Sequence, residues 1–145
     1  MAEQRYDLGA MFVQLGRALV AAEEPVLADL GIPMWDYVVL VALRDGPAQS
    51  QARLAERTGR DKTRLIAILD RLERDGQLRR TPDPSDRRNR IVALTDSGRD
   101  LVERTQQAIR QMERELLAAL PESDRALFIG LLERVTELVL ARSEG

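Results

Sequence analysis

Residues 83–98 read DPSDRRNRIVALTDSG, and their reading decides the fold. Pro82, Pro84 and the intervening Asp83, followed by Ser85 and Asp86, exclude a helix and specify a turn. Arg90 to Leu94 alternates and is rich in β-formers, which predicts a short strand returning from that turn. Its partner is the stretch Leu78 to Thr81 just upstream. Arg87, Arg88 and Arg90 then crowd the tip and flank of a small hairpin. A narrow DNA minor groove concentrates negative potential and attracts an inserted arginine. Asp86, two residues before Arg88, is placed to hold that guanidinium by a charge-assisted bond.

Immediately upstream, Ser50 is a natural N-cap for a short helix from Gln51 to Arg57. Thr58-Gly59-Arg60 makes a tight turn, and a further helix runs from Asp61 to Asp75, stopped by Gly76. Helix, glycine-containing turn and helix form a helix-turn-helix outline. In the second of these helices Leu65, Ile68, Leu69 and Leu72 form one buried stripe. The opposite face carries Arg60, Thr63, Ala67, Asp70, Arg71 and Arg74, with Lys62 and Arg64 flanking it near the start. A helix fits the major groove and reads base edges from its first turns. Arginine forks onto guanine, threonine offers a hydroxyl and a methyl, and the small Ala67 permits close approach. Such a face also suits an ordinary solvated helix; the arginine-tipped hairpin after it decides for the nucleic-acid reading.

Farther out the chain is helical. Leu8, Met11, Phe12, Leu15, Leu19, Ala22 and Val26 repeat every three or four residues from Tyr6 to Leu30, and Gly31-Ile32-Pro33 ends that helix. A second helix starts near Met34, runs through the apolar YVVLVAL and stops at Gly46-Pro47. After the hairpin, Thr95 caps a long helix to Leu120, Pro121 interrupts, and a last helix spans Glu122 to Ala141. The fold class is therefore mainly α with a small β hairpin, the hairpin serving as a wing. The terminal helices carry more apolar face than so small a lobe can cover: Leu8, Met11, Phe12, Leu15 and Leu19 at one end, and Leu116, Leu117, Leu120, Leu127, Leu131, Val135 and Leu138 at the other. That surplus implies an interchain helical bundle and hence a homodimer.

Charge distribution agrees. From Arg57 to Arg90 there are eleven basic and six acidic residues, a local +5 in a chain of net −2, which leaves −7 elsewhere. A basic middle between acidic ends is the footprint of a local anionic partner. The chain has no cysteine and no histidine. This excludes disulfides, thiolate and imidazole metal ligands, and the commonest nucleophile and general base. No phosphate loop, paired-carboxylate motif or nucleophile elbow is present, so neither an enzyme nor a cofactor or metal site is expected. The polar start MAEQRYDLGA and the shortness of the apolar runs predict a cytoplasmic protein with no membrane segment.

The order of elements, with LAERTGRDKTRLIAILDRLERDGQL followed by DPSDRRNRIVALTDSG, resembles the MarR family of winged helix-turn-helix regulators. The wing's Asp-any-Arg falls on Asp86 and Arg88, the Leu-Thr before Gly on Leu94, Thr95 and Gly98, the Leu-Ala on Leu54 and Ala55, and the Leu-Glu before Gly on Leu72, Glu73 and Gly76. Arg64 stands where a small or hydroxyl residue is usual, which would alter base preference. Gln77 stands where a hydrophobic residue usually opens the wing strand. The resemblance implies one unit over residues 1–145, with a DNA-binding lobe at 34–95 and dimerisation helices at 5–30 and 96–141. It implies a repressor that binds double-stranded DNA at a palindromic operator. The DNA-contacting set is then Arg60, Lys62, Thr63, Arg64, Ala67, Arg71, Arg87, Arg88 and Arg90, with Asp86 orienting the wing. It also implies release by a small aromatic or phenolic effector, in a region comparable to Met11, Phe12, Leu15, Met34, Trp35 and Tyr37. The same spacing equally suits core or interface packing. The rival reading is a winged helix used for protein–protein contact, which has no need of an arginine-tipped wing.

Overall fold

The computed structural model describes residues 6–143. The elements are α1 (Leu8–Asp29), α2 (Met34–Ala42), α3 (Gln51–Thr58), α4 (Lys62–Arg74), β1 (Leu78–Pro82), β2 (Arg90–Leu94), α5 (Asp96–Leu116) and α6 (Glu122–Ser143). Fold class and element order agree with the sequence reading. The expected dimerisation helix at 5–30 begins one residue outside the described part of the chain, at Arg5.

Most boundaries are set by caps. Asp7 accepts the Ala10 N–H at 3.0 Å, so it precedes α1 instead of joining it. Ser50 accepts from Arg53 N–H at 3.1 Å and Asp61 from Arg64 N–H at 3.0 Å. Thr95 Oγ1 accepts from Gly98 N–H at 3.1 Å. Each supplies an acceptor to an otherwise orphaned N-terminal amide. Between α3 and α4 the chain reverses at Gly59, whose φ of 69° lies in the left-handed region open to glycine.

Two helices are shorter than expected. Helix α2 ends at Ala42, with Leu43 N–H bonding back to Leu40 O at 3.2 Å and Arg44 N–H to Val41 O at 3.1 Å. Helix α5 ends at Leu116 instead of Leu120. There Ala118 N–H bonds to Glu115 O at 3.3 Å and Leu120 N–H to Leu117 O at 3.0 Å. Such three-residue bonds tighten a last turn, and Pro121 disfavours helical backbone at the residue before it.

Strands β1 and β2 pair antiparallel, from Leu78 opposite Leu94 to Pro82 opposite Arg90. Pro82 extends β1 by one residue because the strand end needs no amide donor there. Ala48 adds a bridge on the far side of β2: its N–H donates to Val92 O at 2.8 Å and its carbonyl accepts from Val92 N–H at 3.0 Å. The link between α2 and α3 is thereby stitched to the wing.

The core of the lobe gathers Val39, Leu40 and Leu43 of α2, Leu54 of α3, Leu65, Ile68, Leu69 and Leu72 of α4, Leu78, Val92 and Leu94 of the hairpin, and Val102 of α5. The stripe read from α4 is buried throughout. Gln77 does not disturb this packing, because Leu78 fills the core. Gln77 acts through its backbone: its N–H donates to Leu72 O at 2.9 Å and its carbonyl accepts from Thr95 N–H at 3.1 Å. Helix α6 forms, with the end of α5, a second compact unit that starts at Arg110.

Candidate nucleic-acid interface

On α4, Lys62, Thr63, Arg64 and Ala67 are exposed, over the first two turns of the helix. The buried leucines on the opposite side fix the rotation of α4 about its axis and therefore which residues face outward. Arg64 leans towards its own cap, 3.5 Å from Asp61 Oδ2.

Arg60 and Arg71 stand differently from the sequence expectation. Because Asp61 is the N-cap, Arg60 lies in the turn before the helix and not on its outer face. Its guanidinium stacks over Trp35 of α2, 4.2 Å from the ring centroid, and its Nε is buried without a protein partner. Cation–π stacking of this kind favours the weakly hydrated guanidinium. Arg71 is fastened to Asp36 of α2 by both Nε and Nη2. Asp36 is only 5% exposed, and burial of an unpaired carboxylate is costly. Helix α2 thus holds α4 near both ends, through Trp35 and through Asp36. Asp36, a lone charge within MWDYVVLVAL, was the available sequence signal for a buried ion pair.

Arg71→Ala is accordingly expected to destabilise the fold by about 2 kcal/mol, less than for a fully buried pair because the Arg71 side chain is 45% exposed. Thermal melting at fixed protein concentration checks this. Asp36→Leu with Arg71→Met should recover most of the loss.

The wing is ordered by its own aspartates. Asp83 Oδ1 accepts from Ser85 N–H at 2.9 Å and from its hydroxyl at 2.7 Å. These bonds, led by the hydroxyl, hold the Asp83 carboxyl below its ordinary value. Asp83 N–H donates to Asn89 O at 3.0 Å and closes the loop. Asp86 bonds within the wing loop, to backbone and amide and not to the Arg88 guanidinium. Its Oδ1 accepts the Arg88 backbone N–H at 3.1 Å and its Oδ2 the Asn89 side-chain amide at 3.4 Å. An aspartate side chain readily accepts from the backbone amide two residues on, an Asx turn, and this competes with pairing to a long side chain. Arg87 and Arg88 are exposed on this stiffened loop, and Arg90 at the start of β2.

The local +5 is also organised. Asp70 and Glu73 are paired to Arg80, at 2.5 and 3.0 Å, and Asp61 lies against Arg64. Arg57 donates to Ala42 O at 2.9 Å and ties α3 to the end of α2. Among the described residues, Lys62, Arg74, Arg79, Arg87, Arg88 and Arg90 enter no ion pair. Asp70 and Glu73 are engaged by the half-buried Arg80, whereas the unpaired cations lie exposed on α4 and the hairpin. The cluster of Gln51, Asp70, Glu73 and Arg80 was missed in the sequence; its one trace is that Asp70 and Glu73 stand three apart on a helix, with a base seven residues on.

The six residues of the expected effector region come from α1 and α2. Met11 (56% exposed), Phe12 and Leu15 form an open apolar face in the single chain. Trp35 is covered on one side by Arg60. Arg44, at the end of α2, pairs with Asp45 at 3.0 Å. No group of three or more acidic side chains suited to a metal is found among the described residues. No single helix there is long and apolar enough to cross a membrane.

The MarR family model matches residues 32–89, which covers α2 through the wing. The transcriptional regulator HosA of Escherichia coli O111:H- is 31% identical over 122 residues, covering 84% of this chain and 89% of HosA. Wild-type MarR from E. coli superimposes with a TM-score of 0.80 at 26% identity, over 91% of this chain and 98% of that one. BpsR of Bordetella bronchiseptica, whose DNA binding is regulated by 6-hydroxynicotinic acid, gives 0.69 at 26% identity, over 94% and 97%. Together with the winged helix-turn-helix lobe, these matches place the chain in the MarR family of transcriptional regulators.

Proposed function

We propose that this protein is a sequence-specific repressor that binds double-stranded DNA as a homodimer on a palindromic operator, in the cytoplasm where that DNA lies. The observation that carries the reading is the distribution of charge: the unpaired cations Lys62 and Arg74 of α4 and Arg79, Arg87, Arg88 and Arg90 of the hairpin are all exposed, while Asp70 and Glu73 between them are tied to Arg80. Helix α4 supplies base-edge contacts from Lys62, Thr63, Arg64 and Ala67. Arg87, Arg88 and Arg90 supply minor-groove and phosphate contacts. Arg60 and Arg71 contribute mainly by setting the pose of α4.

Dimerisation is supported by the apolar side chains left exposed on α1, such as Leu8, Met11 and Phe12, and, separately, on α6, such as Leu127, Leu131, Val135 and Leu138. Two copies related by a dyad would set two reading helices about 34–36 Å apart, one turn of DNA.

The effector reading is supported by BpsR's regulation by an aromatic acid and by the Arg60–Trp35 stack. An aromatic anion that pairs with Arg60 or displaces it from Trp35 shifts the turn that leads into α4. It lowers DNA affinity by as much as it binds the shifted state more tightly.

Titration of a random-sequence duplex at increasing salt tests the DNA reading. A dimer using Lys62, Arg87 and Arg88 twice should show a log–log slope of about −5 or steeper, since each neutralised phosphate releases counterion. Binding that is absent or independent of salt would favour the protein–protein module instead.

A further inference from the structure

We infer that Glu73 and Arg80 form an internal clasp that locks the wing to the reading helix, so that Glu73, an acid, strengthens binding to a polyanion as a positioning residue. This rests on the DNA-binding reading above.

Arg80 lies in β1 with a side chain only 17% exposed. From that one residue, bonds run to two helices. Its Nη2 donates to Asp70 at 2.5 Å and to Glu73 Oε1 at 3.0 Å, both on α4. Its Nη1 donates to Gln51 Oε1 of α3 at 3.2 Å. Its backbone N–H donates to Glu73 Oε2 at 2.8 Å. Thus Glu73 grips both the side chain and the main chain of the same strand residue. The second grip satisfies an amide on the outer edge of β1, whose other edge pairs with β2. Gln51, Glu73, Arg80 and Arg90 line one cleft of about 270 Å³, so the clasp reaches to the start of the returning strand. Bonding to the Arg80 guanidinium also holds the Glu73 carboxyl below its ordinary value.

Two consequences follow. The clasp fixes the relative placement of two DNA-contacting parts, α4 and the wing. Entering adjacent grooves in register requires that placement, and ordering it in advance spares the complex an entropy loss. Nonspecific binding draws on charge alone and needs no such register.

Glu73→Gln discriminates. Elementary electrostatics makes removal of an acid near DNA strengthen all binding. The clasp makes it weaken specific binding by about tenfold, with nonspecific binding unchanged or slightly tighter. The probes are the duplex that the parent enriches from a random pool and a scrambled duplex of equal composition. Thermal melting reports folding. Arg80→Lys keeps the charge but lacks the fork needed to reach Gln51, Asp70 and Glu73 together. It should show a similar specific loss and decides the matter if Glu73→Gln fails to fold. Parental or tighter affinity of either folded variant for the enriched duplex overturns the clasp alone. A parent that enriches no sequence overturns the DNA reading and leaves the clasp without its role.

Discussion

Gly98→Ala is expected to lower the melting temperature by roughly 10 °C, equivalent to at least about 3 kcal/mol for a domain of this size. A Cβ at Gly98 would fall 1.9 Å from Gln77 O, 2.9 Å from Gln77 C and 3.3 Å from Leu94 Cδ2. The first two are backbone atoms, so no rotamer change relieves the overlap. Neither is the backbone free to retreat. Gln77 O already accepts Thr95 N–H at 3.1 Å, and the Thr95 hydroxyl donates to Gly76 O at 2.6 Å. Together these bonds latch the start of α5 to the corner between α4 and β1. The added methyl group must therefore pry apart the joint from which both the reading helix and the wing emerge, and DNA binding should fall with stability. By contrast, Asp96→Ala removes a surface pair with Arg99, and surface pairs contribute little. It should melt close to the parent.

The second large effect concerns function. Arg87→Gln combined with Arg88→Gln should weaken specific DNA binding a hundredfold or more at roughly 0.15 M salt, because each charged groove contact contributes about 1–3 kcal/mol and a dimer loses every contact twice. The salt slope should become shallower by roughly 3.6 if all four lost charges touch phosphates. Both side chains are exposed at the wing tip and enter no ion pair among the described residues. The melting temperature should hence stay near that of the parent. Equilibrium titration by fluorescence anisotropy at several salt concentrations, paired with melting, separates this outcome from misfolding.

What was legible in the sequence was local. The caps Ser50 and Thr95, the Gly59 turn, the apolar stripe of α4 and the alternation of β2 each follow from residues within one turn or one strand of each other. The structure matches them within about a residue. The unread features join residues distant in sequence. Asp36 and Arg71 lie 35 positions apart, and Gln51 and Arg80 lie 29 apart. Periodicity assigns a charged residue to the face of its own helix but does not reveal which other element packs there. That is why the ion pair of Arg71 with Asp36 of α2 is not legible in the sequence. The Ala48 bridge to Val92 escaped for the same reason, since one alanine after Gly46-Pro47 has no strand pattern.

Arg60 illustrates a finer limit. The sequence sets it in the tight turn before α4 and also counts it on the outer face of the helix. Only Trp35, supplied by another helix, determines what that turn residue does. The acid–base cluster around Arg80 shows the converse. Counting charges gives every base of the segment the same standing, whereas the fold divides them into internal ties and outward-facing cations.

Selection of bound duplexes from a random pool by the intact protein puts the central claim to its most direct trial. Recognition by paired α4 helices and arginine-tipped wings requires the enriched sequences to converge on an inverted repeat with half-site centres about one helical turn apart. A pool that stays random after repeated rounds, or that yields an unrepeated site, would contradict it.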